Sequence, residues 1–209
     1  MTIVELLILL LYGTFAIDLL GFPVPSEAST LQLFFPQQKS ETLRNNLLSK
    51  VQQLPLLSKI GLLLLPTLVG IFTYLLPLFV VLLPNLTQFF GPFQPELQWP
   101  LTIAGLLLAY LGRGLSILSA IQIRKRNQNP TQKALKTQRL FQHSRNPILL
   151  GLHLTFIGLA LIYPVWVVFF GGLVYFANMH FKVILEEHFL KEKFGTSFIQ
   201  YCQKTNRYF

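Results

Sequence analysis

The chain has 209 residues, a net charge of +9 and a mean hydropathy of +0.52, with 52% of residues hydrophobic and only 12% charged. A soluble domain carries about twice that share of charge, so the composition argues against a soluble enzyme and for an integral membrane protein. The basic residues fall in short segments between apolar runs, which is how positive-inside loops read, and nucleic acid is set aside as a partner.

The first apolar run, Ile3–Phe22, is long enough to cross a bilayer as a helix. No Lys or Arg precedes Lys39, whereas a cleaved signal peptide wants a positive start, so 1–21 reads as a retained span. Asp18 falls near its end, at the interface. In the mixed segment 23–59, Leu43, Leu47, Val51 and Leu54 recur at helical spacing beside Arg44 and Lys50. That pattern predicts a short amphipathic helix lying on the membrane surface, with a solvated linker as the alternative.

The second span is Ile60–Leu83, with kinks expected at Pro66 and Pro77. Residues 84–98 form a Pro/Gly-rich turn whose only charge is Glu96. The third span, Leu101–Ile123, is expected to be interrupted at Gly112-Arg113-Gly114. Arg113 lies well inside it and needs a partner, a wet cavity or a snorkelling path. The connection 124–147 carries Arg124, Lys125, Arg126, Lys133, Lys136, Arg139 and Arg145 without an acid. A turn at Asn127-Gln128-Asn129-Pro130 splits it, and a short helix is expected to follow.

Ile148–Phe181 is apolar almost throughout and too long for one ordinary span. Tyr163-Pro164 near its middle predicts two helices in a tight hairpin. From Lys182 onward the chain is polar, and a helix ending in a loose tail is expected. The fold class is therefore an all-α integral membrane protein of about five transmembrane helices, with a C-terminal hairpin and a cytoplasmic C-terminal helix. Charge sets the orientation. The basic segments 36–59 and 124–147 and the tail go to the cytoplasm, and the N-terminus outside. There is no internal repeat, which argues against a transporter. The single cysteine, Cys202, permits no disulfide framework or cysteine zinc site within one chain, reads as an inert thiol, and leaves no metal expected.

Several residues stand out as candidates for chemistry. Arg145-Asn146-Pro147 opens the hairpin. Pro147 suits a first helical turn, Asn146 suits a cap, and Arg145 is then held at the membrane surface. The plain alternative is a positive-inside arginine before a helix start. Glu186-Glu187 closes the hairpin at the same membrane face. Neighbours on a helix point about 100° apart, so the two carboxylates serve different partners. Asn178, Lys182 and Glu186 share one stripe, and His180, Glu187 and Lys191 another. The plain alternative pairs Glu187 with Lys191 as a surface salt bridge. Gly112 and Gly114 permit a close backbone approach by a helix or a ligand.

In order and spacing these pieces resemble the integral-membrane methyltransferases typified by isoprenylcysteine carboxyl methyltransferase and the phospholipid N-methyltransferases. The resemblance rests on Arg145-Asn146-Pro147 with Gly151, then Glu186-Glu187, Phe194-Gly195, Phe198 with Tyr201, and Arg207, and it covers roughly 100–209. Gly112 and Gly114 match a glycine pair of the phospholipid branch. The chain departs at Leu149 and Phe198, where the family has tyrosines, and at Arg139-Leu140-Phe141, where it commonly has Gly-Pro-Tyr.

The resemblance implies a membrane-embedded S-adenosylmethionine-dependent methyltransferase acting on a lipophilic or small acceptor through a carboxylate, amine or thiol. The catalytic-type core is 100–209, preceded by N-terminal spans and an amphipathic linker in 1–99. The implied cofactor-binding residues are Gly112, Gly114, Arg145, Asn146, Pro147, Glu186, Glu187, Tyr201 and Arg207. Implied partners are the lipid bilayer and a lipophilic methyl acceptor; no catalytic side chain and no oligomeric state is implied. Two other readings stay open: a non-catalytic lipid- or partner-binding protein of the same fold, and an NADPH-dependent sterol-reductase-like enzyme.

Overall fold

A computed structural model describes residues 2–21, 47–83, 85, 98–127, 135 and 137–208. Among them the chain is helical, without strands: α1 Ile3–Gly21, α2 Leu47–Gln52, α3 Leu56–Leu82, α4 Gln98–Asn127, α5 Leu140–His143, α6 Pro147–Ile162, α7 Trp166–Phe194 and α8 Thr196–Lys204. Helices α3, α4 and α7 are long and apolar enough to cross a membrane, and α1 and α6 are shorter apolar helices. The Asp18 side chain, Leu43, Arg44, Glu96 and Gln128–Pro130 of the expected turn lie outside the described residues.

The hairpin is present where the sequence predicts it. Helix α6 ends at Ile162, and α7 begins at Trp166 after Tyr163-Pro164. One other expectation needs correcting. Helix α4 runs 30 residues without a break through Gly112-Arg113-Gly114. The amphipathic stretch is helical over Leu47–Gln52. Val51 is buried with Leu63 of α3 and Leu185 of α7, so α2 docks on the bundle. In α3, the turn Ile60–Leu64 is widened to i→i+5 bonding directly before Pro66. A proline ring lacks an N–H and presses on the turn before it, and the wider turn accommodates both defects.

Polar and ring contacts fix the helix directions. Tyr110 and Arg113 of α4 bond Leu7 and Thr14 of α1, so these two helices run parallel. Thr67, Gly70 and Thr73 of α3 meet Asn178, Tyr175 and Gly171 of α7, so α3 and α7 run antiparallel, and Tyr12 of α1 bonds the Tyr74 carbonyl of α3. Gly105 and Gly112 of α4 meet Gly158 and Gly151 of α6 in antiparallel order. The chain therefore goes up and down, and it gathers α2, the start of α6 and the end of α7 at one end. Trp99 and Trp166, both exposed, begin α4 and α7 at the other end, as interfacial tryptophans do. Many outward side chains are apolar, including Leu107, Leu111, Phe170 and Leu173, which suits a hydrocarbon surround.

Arg113 is 1% exposed and pins α1 to α4. Its Nε donates to Thr14 Oγ1 at 2.7 Å and its Nη2 to the Thr14 carbonyl at 2.7 Å, while the guanidinium stands 4.0 Å from the Phe15 ring centre. The partner that a charge at this depth requires is thus α1.

The α4–α6 seam is built from small residues, because only they let two backbones touch. A Cβ on Gly112 would lie 2.5 Å from the Gly151 carbonyl oxygen, whereas a Cβ on Gly114 would meet nothing within 4 Å. Gly112→Ala is expected to lower the thermal midpoint in detergent, by overpacking worth about 1–3 kcal/mol. Gly114→Ala is expected to hold or raise it through better helix propensity. Equal effects of the two substitutions would contradict this packing.

Candidate functional site

The site forms where the start of α6, the end of α7 and the chain after α8 converge. Pro147 begins α6, its missing N–H costing nothing there, and Asn146 is the residue before it. The expected Asn146 side-chain cap is absent: its amide donates instead to the Arg207 carbonyl at 3.4 Å. Gly195 ends α7 at φ +53, a conformation that suits glycine, and so redirects the chain into α8. Helix α8 buries Phe198 and Tyr201. The Tyr201 hydroxyl donates to the Phe141 carbonyl, tying α8 to α5.

The centre of the site is Glu187. Its Oε1 accepts from Arg145 Nε at 3.0 Å, and its Oε2 accepts from Arg207 Nε at 3.1 Å and Nη2 at 2.7 Å. The Glu187–Lys191 alternative therefore gives way to a fork of two guanidiniums on one carboxylate. Arg145 Nη1 also donates to the carbonyls of Thr205 at 2.7 Å and Cys202 at 3.2 Å, and its backbone N–H donates to Asn206. Ser144 donates to the Arg207 carbonyl. The tail after α8 is thus strapped across the start of α6 rather than loose, which corrects the sequence expectation.

The pair Arg145 and Glu187 is largely screened from solvent, with side-chain exposures of 12% and 13%, while Arg207 keeps 34%. The hydrogen bond to Glu187 raises the Arg207 guanidinium above its ordinary range. Burial pushes the Tyr201 phenol up to about 12, so at neutral pH it remains a hydroxyl donor. Burial also raises the Cys202 thiol, in keeping with an unreactive cysteine.

Arg145, Asn146, Pro147, Glu187, Tyr201 and Arg207 are therefore brought together. Glu186 is half-buried and faces the neighbouring sector of α7, in line with Asn178 and Lys182, whose side chains both reach Thr67 Oγ1 at 3.0 Å. Gly112 is engaged in the α4–α6 seam opposite Gly151, and Gly114 faces open space. Sequence reasoning passed over Ser144, Thr205 and Tyr208. The run Thr205-Asn206-Arg207-Tyr208, polar and aromatic directly after a helix, was the available signal. A recess between α3 and α7, lined by Phe72, Trp166 and Phe170, lies toward the opposite end of the bundle and is mostly apolar.

Residues 101–197 match the model of the phospholipid methyltransferase family. Over that span, a little under half of the chain, the sequence is similar to this family, which supports a membrane methyltransferase in general. No curated protein and no solved structure matches the chain.

Arg139 occupies φ +58, a conformation in which a side chain is strained. It stands where relatives by resemblance place the glycine of Gly-Pro-Tyr, which gives that glycine a backbone reason. Arg139→Gly is expected to stabilise the protein by about 1 kcal/mol, raising the thermal midpoint by roughly 2–4 °C. A lower midpoint would contradict the assigned backbone.

Proposed function

We propose that the chain is an S-adenosylmethionine-dependent methyltransferase whose acceptor is a phospholipid head group. The observation that carries this is the Arg145–Glu187–Arg207 fork, set at one end of a hairpin inside a span matching phospholipid methyltransferases.

The donor set fits the cofactor. Two guanidiniums against one carboxylate leave a surplus positive charge, which suits the carboxylate of a methionine moiety. Arg145 is the residue to hold it, with Asn146 donating beside it. Glu187 and Glu186 are the acceptors for the ammonium and the ribose hydroxyls, which need carboxylate oxygens. Pro147 sets the direction of α6 under the site, Tyr201 and Arg207 close it from the tail, and Gly112 acts through the α4–α6 seam, with Gly114 facing open space. When bound, S-adenosylmethionine supplies a methyl group already made electrophilic by its sulfonium. The protein's own work is then positioning, charge placement and exclusion of water.

The tail currently supplies carbonyls to Arg145 and Asn146, so these bonds must yield to a ligand that takes the same donors. Residues 100–209 form the catalytic core in this reading, and the α1 and α3 helices complete the bundle. The basic end faces the cytoplasm and the N-terminus lies outside, following the charge rule. The acceptor's tails stay in the bilayer, and its head group reaches the site sideways.

One observation favours a second reading, a non-catalytic protein of the same fold: the fork is already satisfied within the chain. Equilibrium binding separates the two. Detergent-purified protein is expected to bind S-adenosylmethionine saturably at micromolar concentration, and a folded Glu186→Ala/Glu187→Ala variant to lose it. Well-folded wild type that binds none, with lipid restored, would leave the non-catalytic reading.

A further inference from the structure

A second group of polar side chains lies deeper in the same hairpin. His153 is six residues beyond Pro147 on α6, about 9 Å further along the helix at its usual rise. Its ring sits among three aromatic rings, with centroids at 4.4 Å from Phe176, 6.0 Å from Tyr175 and 5.9 Å from Tyr208. Its Nε2 is buried and has no hydrogen-bond partner among the described residues. Buried polar atoms are nearly always paired, so an exception calls for an explanation.

The tail connects this histidine to the fork. Arg207 reaches Glu187, while the next residue, Tyr208, stands between two histidines, its hydroxyl 2.9 Å from His180 Nδ1. His180 is exposed on the outer face of α7. The titratable groups facing His153 among the described residues are Tyr175 and His180 of α7 and Tyr208 of the tail.

A lipid amine is an ammonium at neutral pH and has no lone pair until it loses a proton. Glu187 is already engaged, because two guanidiniums hold both of its oxygens. His143 is exposed and bonded to Gln142, away from the hairpin interior. His153 alone of these offers a sheltered, unengaged acceptor nitrogen on the bilayer side of the fork.

We infer that His153 is the catalytic base of the methyl transfer proposed above, accepting at Nε2 a proton from the head-group ammonium of a lipid. The inference rests on that proposal. The ammonium gives one proton to the Nε2 lone pair. The freed nitrogen lone pair forms the N–C bond as the C–S bond breaks, and its electron pair stays on sulfur. The nitrogen ends as a methylated ammonium, the sulfur as a neutral thioether, and His153 gives its proton up to solvent when the product leaves the site. No other reactant is needed.

The test compares wild type with His153→Phe, which keeps a ring against Phe176 and Tyr208 but removes the base. Both are placed in phosphatidylcholine nanodiscs containing phosphatidylethanolamine and given S-adenosylmethionine labelled in its methyl group. The thermal midpoint and cofactor affinity are expected to stay within about twofold of wild type, since neither depends on the base. Labelling of phosphatidylethanolamine at neutral pH is expected to fall by about 100-fold or more. The defect narrows as pH rises toward the amine's own pKa, where free amine needs no base. Unchanged labelling in the variant, a defect equal at every pH, or a wild type that binds cofactor yet labels no phosphatidylethanolamine would each overturn the inference. A wild type that binds no cofactor overturns the proposed function, and this inference with it. If His153→Phe does not fold, His153→Gln is read by the same criteria.

Discussion

Glu187 is the residue on which the end of the bundle where α6 begins depends. One carboxylate holds Arg145 at the start of α6 and Arg207 in the tail, so it joins three separate parts of the chain. Each guanidinium repels the other, and only the shared carboxylate makes their proximity favourable. Arg145 Nη1 then donates to the carbonyls of Cys202 in α8 and Thr205 in the tail, which ties the tail to the start of α6. Removing the carboxylate would leave two cations close together in a largely screened place, which is why the position is more than a surface ion pair.

The fork is held in place by packing that carries no charge. Gly105, Gly112, Gly151 and Gly158 bring the α4 and α6 backbones into contact, which sets where α6 begins and therefore where Arg145 stands. Arg113 ties α1 into the same unit, and Phe156, Leu76 and Val168 join α3, α6 and α7. Gly112 therefore has a packing duty whether or not a cofactor approaches it. In a bilayer no hydrophobic drive favours helix contact over lipid contact, so small residues and a few buried polar bonds must supply the specificity. The chain has both.

Much of the fold could be read from residue order. Pro164 and the length of the apolar run gave the hairpin, because a single span cannot use so many residues. The pairing of Arg145 with the Glu186-Glu187 end followed from a hairpin returning to its starting side. Other features had no sequence signature. Gly112-Arg113-Gly114 looked like a break, since glycine weakens isolated helices, yet tight packing on Gly151 outweighs that propensity. The tail looked loose because many of its anchors, at Thr205, Asn206 and Arg207, are backbone carbonyls, which every residue possesses. His153 was lost in an apolar run, and only the arrangement of Phe176 and Tyr208 around it sets it apart.

The central claim is that the fork of Arg145, Glu187 and Arg207 is a cofactor site rather than a purely structural clasp. Its most direct test is ultraviolet cross-linking of labelled S-adenosylmethionine to the lipid-reconstituted protein, followed by peptide mapping. The account predicts saturable label, competed by unlabelled cofactor, on the peptides spanning 139–151, 183–191 and 201–208. Label confined to the N-terminal helices, or label that neither saturates nor competes, would contradict it.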